Sequence, residues 1–224
     1  MALVASLHKR ILLAAAALLV LAAVPVEEAR GLSCTWNPSS GNWDAAGNWS
    51  CGAVPTGPDA DSATIGASKT VTIDTPQSIF TLINVGTVTI DASTFTLQGG
   101  GSTTNSGIIN VGGASTAALQ AGNNIDNTGG VINIADGSVF NQLASTITGG
   151  TINATGSGTL VAFTSSANIL SGVVLNGPLD AVTDANARER IGNGMTLNGV
   201  VSIGNGGIGA GDINAAASFT CVNQ

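Results

Sequence analysis

The chain has 224 residues, 13 Asp and Glu against 6 Lys and Arg, 44% apolar and only 8% charged residues, with 31 Gly and no Tyr. So low a charge fraction beside an ordinary apolar content excludes a charged, disordered chain, and the length suffices for a core in one domain, alone or with a small module. The 24 Thr and 20 Asn that join Gly among the polar residues serve turns and strands, which excludes an all-α protein.

Residues 1–31 read as a secretory signal peptide: Lys9 and Arg10 precede an apolar run from Ile11 to Val24, and small residues follow at Ala22, Ala23, Ala29 and Gly31. That run is shorter than the ~20 residues of a membrane span. No later segment is long and apolar enough to be one, so a secreted or cell-surface product without a transmembrane segment is expected. Removing the leader deletes His8, the only histidine, and leaves eleven acidic residues against Lys69, Arg188 and Arg190. Nucleic acid is excluded as a partner because phosphate binding needs a basic footprint. Histidine-based catalysis and His-ligated zinc are excluded with it. Neither a cofactor nor a metal is expected.

Residues 32–66 hold all three tryptophans, Trp36, Trp43 and Trp49. Exposed, these rings would form a platform for sugars; buried, they would cover the open edge and core of a first coil, and this cap is the expectation. The stretch from Trp36 through Gly41, Trp43, Asn48, Trp49, Gly52, Val54 and Pro55 to Asp59, Ala63 and Ile65 resembles the segment that opens many bacterial autotransporter-like passenger and surface-anchored β-helix proteins. The resemblance covers residues 36–66 closely and the later repeats only in style. It implies an exported, adhesin-like surface protein with a β-helix fold. Neither a C-terminal β-barrel translocator nor a Pro-Glu-Pro sorting tail is read in the chain, so a truncated relative is expected and the mode of attachment stays open.

Of the three cysteines, Cys34 and Cys51 are expected to pair in an oxidising compartment, closing a loop worth roughly 3 kcal/mol, with Cys221 left over. Their spacing lacks any CxxC and so gives no metal signal. Asp59 and Asp61 near Pro58 would suit calcium in an exported loop, but as turn residues they need none.

From residue 67 to 213 a repeat governs the chain. A glycine opens a β-branched run at Gly86, Gly107, Gly130, Gly150, Gly172 and Gly199, at intervals of 21, 23, 20, 22 and 27 residues. Apolar residues alternate within each run, which marks strands. Two positions on, Val88, Ile109, Ile132, Ile152, Val174 and Val201 are expected to stack as one buried column. A second run lies at Leu97, Leu119, Phe140 and Leu160, and a third at Ile83, Ile125, Ile147, Ile169 and Leu197. Three strands per coil of 20–23 residues predict an all-β, right-handed parallel β-helix, or β-solenoid, preferred over a β-sandwich because a sandwich does not require equal spacing. The third position after each glycine (Thr89, Asn110, Asn133, Asn153, Leu175, Ser202) predicts a hydrogen-bonded ladder along the axis. The first position should face outward, so Ile108, Val131, Val173 and Val200, interrupted by Thr87 and Thr151, form an expected association face for another copy, a missing segment or an apolar ligand surface.

Parallel β-helices also host polysaccharide lyases and glycosidases. Asp91 and Asp136 occupy similar turns two coils apart, roughly 9.6 Å, at the outer limit for an inverting pair, yet Asp-Ala-Ser and Asp-Gly-Ser are ordinary turn sequences. Thr-x-Thr triplets at Thr70, Thr87 and Thr94 raise ice binding, but no threonine row persists through later coils. The glycines from Gly204 to Gly209 match a dinucleotide pattern without its βαβ context, and Gly206 to Asp212 approaches a calcium nonapeptide out of register. The charge cluster from Asp184 to Arg190 is expected to project as a solvated loop or short helix. Residues 214–224 read as an irregular tail. The expected function is a non-catalytic structural or adhesin-like surface module whose partners are surface glycans, other cell-surface proteins or a second copy; a carbohydrate-active enzyme or carbohydrate-binding protein is the alternative.

Overall fold

A computed structural model describes residues 31–184 and 186–203, and the backbone of 212–215 and 220–221. The leader expected at residues 1–31 lies, apart from Gly31, outside the described residues, as do the glycine motifs between 204 and 211. The described chain is a parallel β-solenoid. Its strands are three to five residues long over most of the chain, and every third one returns to the same sheet. The first sheet runs through nine strands from Ser33–Thr35 to Asp212–Ala215, the second through nine from Ser40–Asn42 to Thr220–Cys221, and the third through seven from Gln77–Ile79 to Val201–Ile203. All ladders between them are parallel, so each strand pairs only with the coils before and after it. No described helix is long and apolar enough to cross a membrane.

Period-two alternation decides what each strand buries. On the second sheet Val71, Val88, Ile109, Ile132, Ile152, Leu175 and Leu197 stand in one register and are all buried. Four members of the column expected from the glycine repeat are therefore in place. The other two are corrected: Leu175 replaces Val174, which points outward, and Leu197 replaces Val201, which lies on the third sheet beside Leu179. Of the third apolar run, Ile125 and Ile147 point inward on the first sheet. Leu82 and Leu170 take the inward places expected of Ile83 and Ile169. Leu97, Leu119, Phe140 and Leu160 are buried on the third sheet as expected.

The slip has a local cause. The corner leading into the second sheet varies in length, and its glycines serve two different needs. At Gly107 a Cβ would lie 2.1 Å from the carbonyl oxygen of Gly86, so the close approach of successive coils forbids a side chain. A Cβ at Gly172 would meet nothing nearer than 3.8 Å, and the glycine is required instead by a φ of +65°, like Gly149 at +67° one coil earlier. Gly172 thus corresponds to Gly149, and Val173 occupies the corner of Gly150, its carbonyl accepting from Thr196 as Gly150's accepts from Val174. Gly199 belongs to a different corner altogether.

The Trp-rich segment is built into the solenoid: Ser33–Thr35 and Ser40–Asn42 begin the first and second sheets. Two stretches assigned to an irregular or projecting chain are strands. Arg188–Gly192 lies within the first sheet, and Thr220–Cys221, in the expected tail, pairs with Thr196 and Leu197 on the second.

Candidate functional site

The three tryptophans do not form an exposed platform. Trp36, Trp43 and Trp49 are 1%, 0% and 2% exposed. Trp49 lies edge-on to Trp36 and Trp43 at ring distances of 5.0 and 4.8 Å, and Trp43 meets Phe95 of the third sheet at 5.4 Å. The Trp49 indole N–H donates to the carbonyl of Trp43. The rings close the apolar interior at the first coil, because strand pairing leaves that end of the stack without a neighbour to cover it. Cys34 and Cys51 are disulfide-bonded within the same segment.

The outer face of the second sheet carries two columns. The first reads Thr70, Thr87, Ile108, Val131, Thr151, Val174 and Thr196. The association row therefore keeps Ile108, 39% exposed, and its neighbour Val131, but loses Val173 and Val200. Val173 is buried at the corner, and Val200 leads into the third sheet. Val174 takes the vacated place. Thr196 returns to the row, yet Ile108, Val131 and Val174 still break the threonine array that ice binding would need.

The second column is an amide ladder. Asn110 donates to Thr89 Oγ1 at 3.5 Å, Asn133 to Asn110 Oδ1 at 2.9 Å, Asn153 to Asn133 at 2.9 Å, Asn176 to Asn153 at 2.8 Å and Asn198 to Asn176 at 2.7 Å. The expected ladder is present and longer than the glycine alignment allowed: Asn176 and Asn198 replace Leu175 and Ser202. Each amide donates toward the preceding coil and accepts from the next, so a uniform direction of hydrogen bonding fixes the side chains of the face. A second, buried ladder at the corner of the first sheet runs from Asn84 through Asn105 to Asn127 at 2.7 Å per step.

Of the carboxylates weighed for chemistry, Asp136, Asp59 and Asp61 are bound into turns, while Asp91 ends a strand of the second sheet. Asp91 pairs in register with Gly112, whereas Asp136 follows Ala135, the next position in that column, so the two are out of line. Asp136 accepts the amide and hydroxyl of Ser157 from the following coil, both at 2.8 Å, and these bonds hold its carboxyl below the ordinary range. Asp61, buried, accepts the amides of Leu32 at 2.6 Å and Thr56 at 2.8 Å, while Asp59 accepts the Thr56 hydroxyl. Asp180 is pushed up by partial burial, but the hydroxyl and amide of Thr183 and the amide of Val182 outweigh this and lower it. Beside Asp59 a groove of about 480 Å³ is lined by Thr56, Pro58, Pro76, Gln77, Ser78, Thr94 and Thr96.

Glu189 was missed. Expected in a solvated loop, it is fully buried, with Arg188 and Arg190 exposed on either side of it. The signal was the alternation Arg188, Glu189, Arg190, Ile191, which places Glu189 on the same inward side as an isoleucine.

The chain matches no protein-family model, no curated protein and no solved structure.

Proposed function

We propose that this chain is an exported cell-surface β-solenoid that acts through its outer face as a structural or adhesin-like module, without catalytic activity. The observation that carries this reading is the second sheet's outer surface, where a β-branched column and a hydrogen-bonded Asn ladder run side by side through successive coils. Such a surface suits an extended partner, because it repeats one contact at about 4.8 Å per coil and is already ordered before binding. The leader-like residues 1–31 and the likeness of residues 36–66 to autotransporter-like and surface-anchored β-helix proteins support export. Of the two acids weighed for catalysis, Asp136 is held by the amide and hydroxyl of Ser157 and stands out of line with Asp91, which speaks for structure over a polysaccharide lyase or glycosidase.

A carbohydrate-binding variant of the same reading is favoured by the groove beside Asp59. Its hydroxyls and the Gln77 amide offer donors and acceptors to a sugar, and Pro58 and Pro76 offer apolar edges. Binding and turnover measured on a glycan panel with the purified chain test both. Retention of glycans or of cell surfaces without turnover is the expected result, and depolymerisation of any glycan would overturn the non-catalytic reading.

A further inference from the structure

Glu189 is the only glutamate beyond residue 30. Its strand lies beside Ile169–Ser171, and the pairing of Ile169 with Arg190 stacks Glu189 one coil beyond Asn168. Both side chains are buried. The Asn168 amide nitrogen donates to the carbonyls of Phe163 at 2.8 Å and Arg188 at 2.9 Å, yet its Oδ1 has no hydrogen-bond partner, and neither has either carboxyl oxygen of Glu189. The Arg190 amide is taken by the Asn168 carbonyl. Three acceptor atoms are thus buried in adjacent coils with no hydrogen bond made to them, and the other unpartnered group of that column, the Ser145 hydroxyl, stands one coil before Asn168 and so on the far side of it from Glu189. Among the described residues no charge compensates them from within. Arg188 and Arg190 point outward, Asp184 accepts the Thr164 amide at the corner, Asp212 pairs in register with Arg188, and Ile169–Ser171 brings no titratable group.

We propose that Glu189 carries its proton in the folded protein and donates it to Oδ1 of Asn168, so that the coils around residues 163–192 form an acid-stabilised lock. The reach is demonstrated elsewhere in the molecule: residues stacked one coil apart bridge side chain to Oδ1 at 2.7–2.9 Å in both Asn ladders. The position also asks for a donor. Asn123 and Asn168, in corresponding places on the first sheet, both direct an amide N–H at backbone carbonyls, and glutamate can donate only when protonated. Burial drives the carboxyl well above the ordinary range; the nearby strand amides of Arg190 and Leu170 offset this by less and make no hydrogen bond to either carboxyl oxygen. Because the folded value is raised, the contribution of the pair is fully present below the unfolded glutamate value of about 4.3 and is lost as pH rises through the folded value. Ionisation at higher pH leaves a buried charge that reaches water only if the coils open.

The test compares the oxidised full chain with Glu189→Gln between pH 4.5 and 8.5. The wild-type midpoint of thermal unfolding should fall with rising pH, on the order of 5 °C or more across the window. The Gln variant should lose that fall, since its amide donates to Asn168 at every pH and does not ionise. Infrared spectra of protein labelled with ¹³C-glutamate should show a protonated carboxyl band in folded wild type at pH 6 that is missing from the variant. If Glu189→Gln does not fold, the infrared band alone decides. A carboxylate band in place of the acid overturns the proposal, whether or not added Na⁺ or Ca²⁺ then raises the midpoint, and so does an equal pH slope in both proteins.

Discussion

The first coil and the coils around Glu189 meet the same demand, filling an interior under short strands, with opposite materials. At the first coil three tryptophans pack edge to face above Phe95 and a disulfide ties Cys34 to Cys51. Only two polar atoms are stranded there, the indole nitrogens of Trp36 and Trp43. Around residues 142–191 the interior instead takes in Gln142, Ser145, Asn168 and Glu189, each with a side-chain oxygen lacking a partner. A solenoid coil contacts chiefly its neighbours, so its interior chemistry is set locally. The aromatic cluster carries no titrating group of its own, whereas a polar interior is as stable as its protons allow.

The comparison breaks most completely in the column that both regions share. Ile132→Asp places an unpaired charge at the centre of seven stacked apolar side chains, and the variant should not fold; a cooperative transition at the wild-type midpoint would show that the register is wrong. Next comes the aromatic end. Trp49→Ala removes both edge-to-face contacts and leaves a cavity, with an expected loss of about 3–5 kcal/mol in denaturant unfolding. A loss under 1 kcal/mol would mean that the cluster does not close the coil. Replacing Cys34 and Cys51 by Ser should cost about 2–4 kcal/mol, and peptide mapping without reduction should recover the two joined. Free thiols at both positions after oxidative folding would count against the bridge. The smallest effect on stability belongs to the outer face. Val131→Thr with Val174→Thr should shift the unfolding midpoint by less than about 2 °C while weakening self-association or surface binding, read by sedimentation and by retention on cells. Unchanged association would remove this face from the proposed function.

Much of the fold is legible in the order of residues. Gly86, Gly107, Gly130 and Gly150 open runs whose alternate residues are Val88, Ile109, Ile132 and Ile152, and the parallel register found across those coils is the one their spacing implies. The disulfide and the Asn ladder were equally readable. The reading failed where one residue type answered two physical needs. Gly172 is required by its dihedral and Gly107 by a close approach, and treating them as equivalent moved Val173 outward and Leu175 off the core. Asn176, polar at the fourth position after its glycine where Ile90, Val111, Ile134 and Ala154 stand in the earlier coils, already marked the slip. The proposed contact face suffered for the same reason: it inherited Val173 and Val200 from the misaligned coils. Its true third apolar member, Val174, is found only by following the strand pairs.

Period-two alternation repeated about every 21 residues suffices to make this protein a stack of short parallel strands, because it admits few other ways to bury one face per strand. The composition likewise sets the acidic balance and the absence of histidine beyond residue 8. Only the tertiary structure decided which side of a corner each residue takes, since a turn that gains or loses one residue inverts the face of every residue after it. Only the stacking, likewise, placed Glu189 above Asn168 and beneath the surface that its neighbours Arg188 and Arg190 occupy. Burial there depends on a coil some twenty residues away, and no local pattern of charge encodes what lies on the next turn of the solenoid.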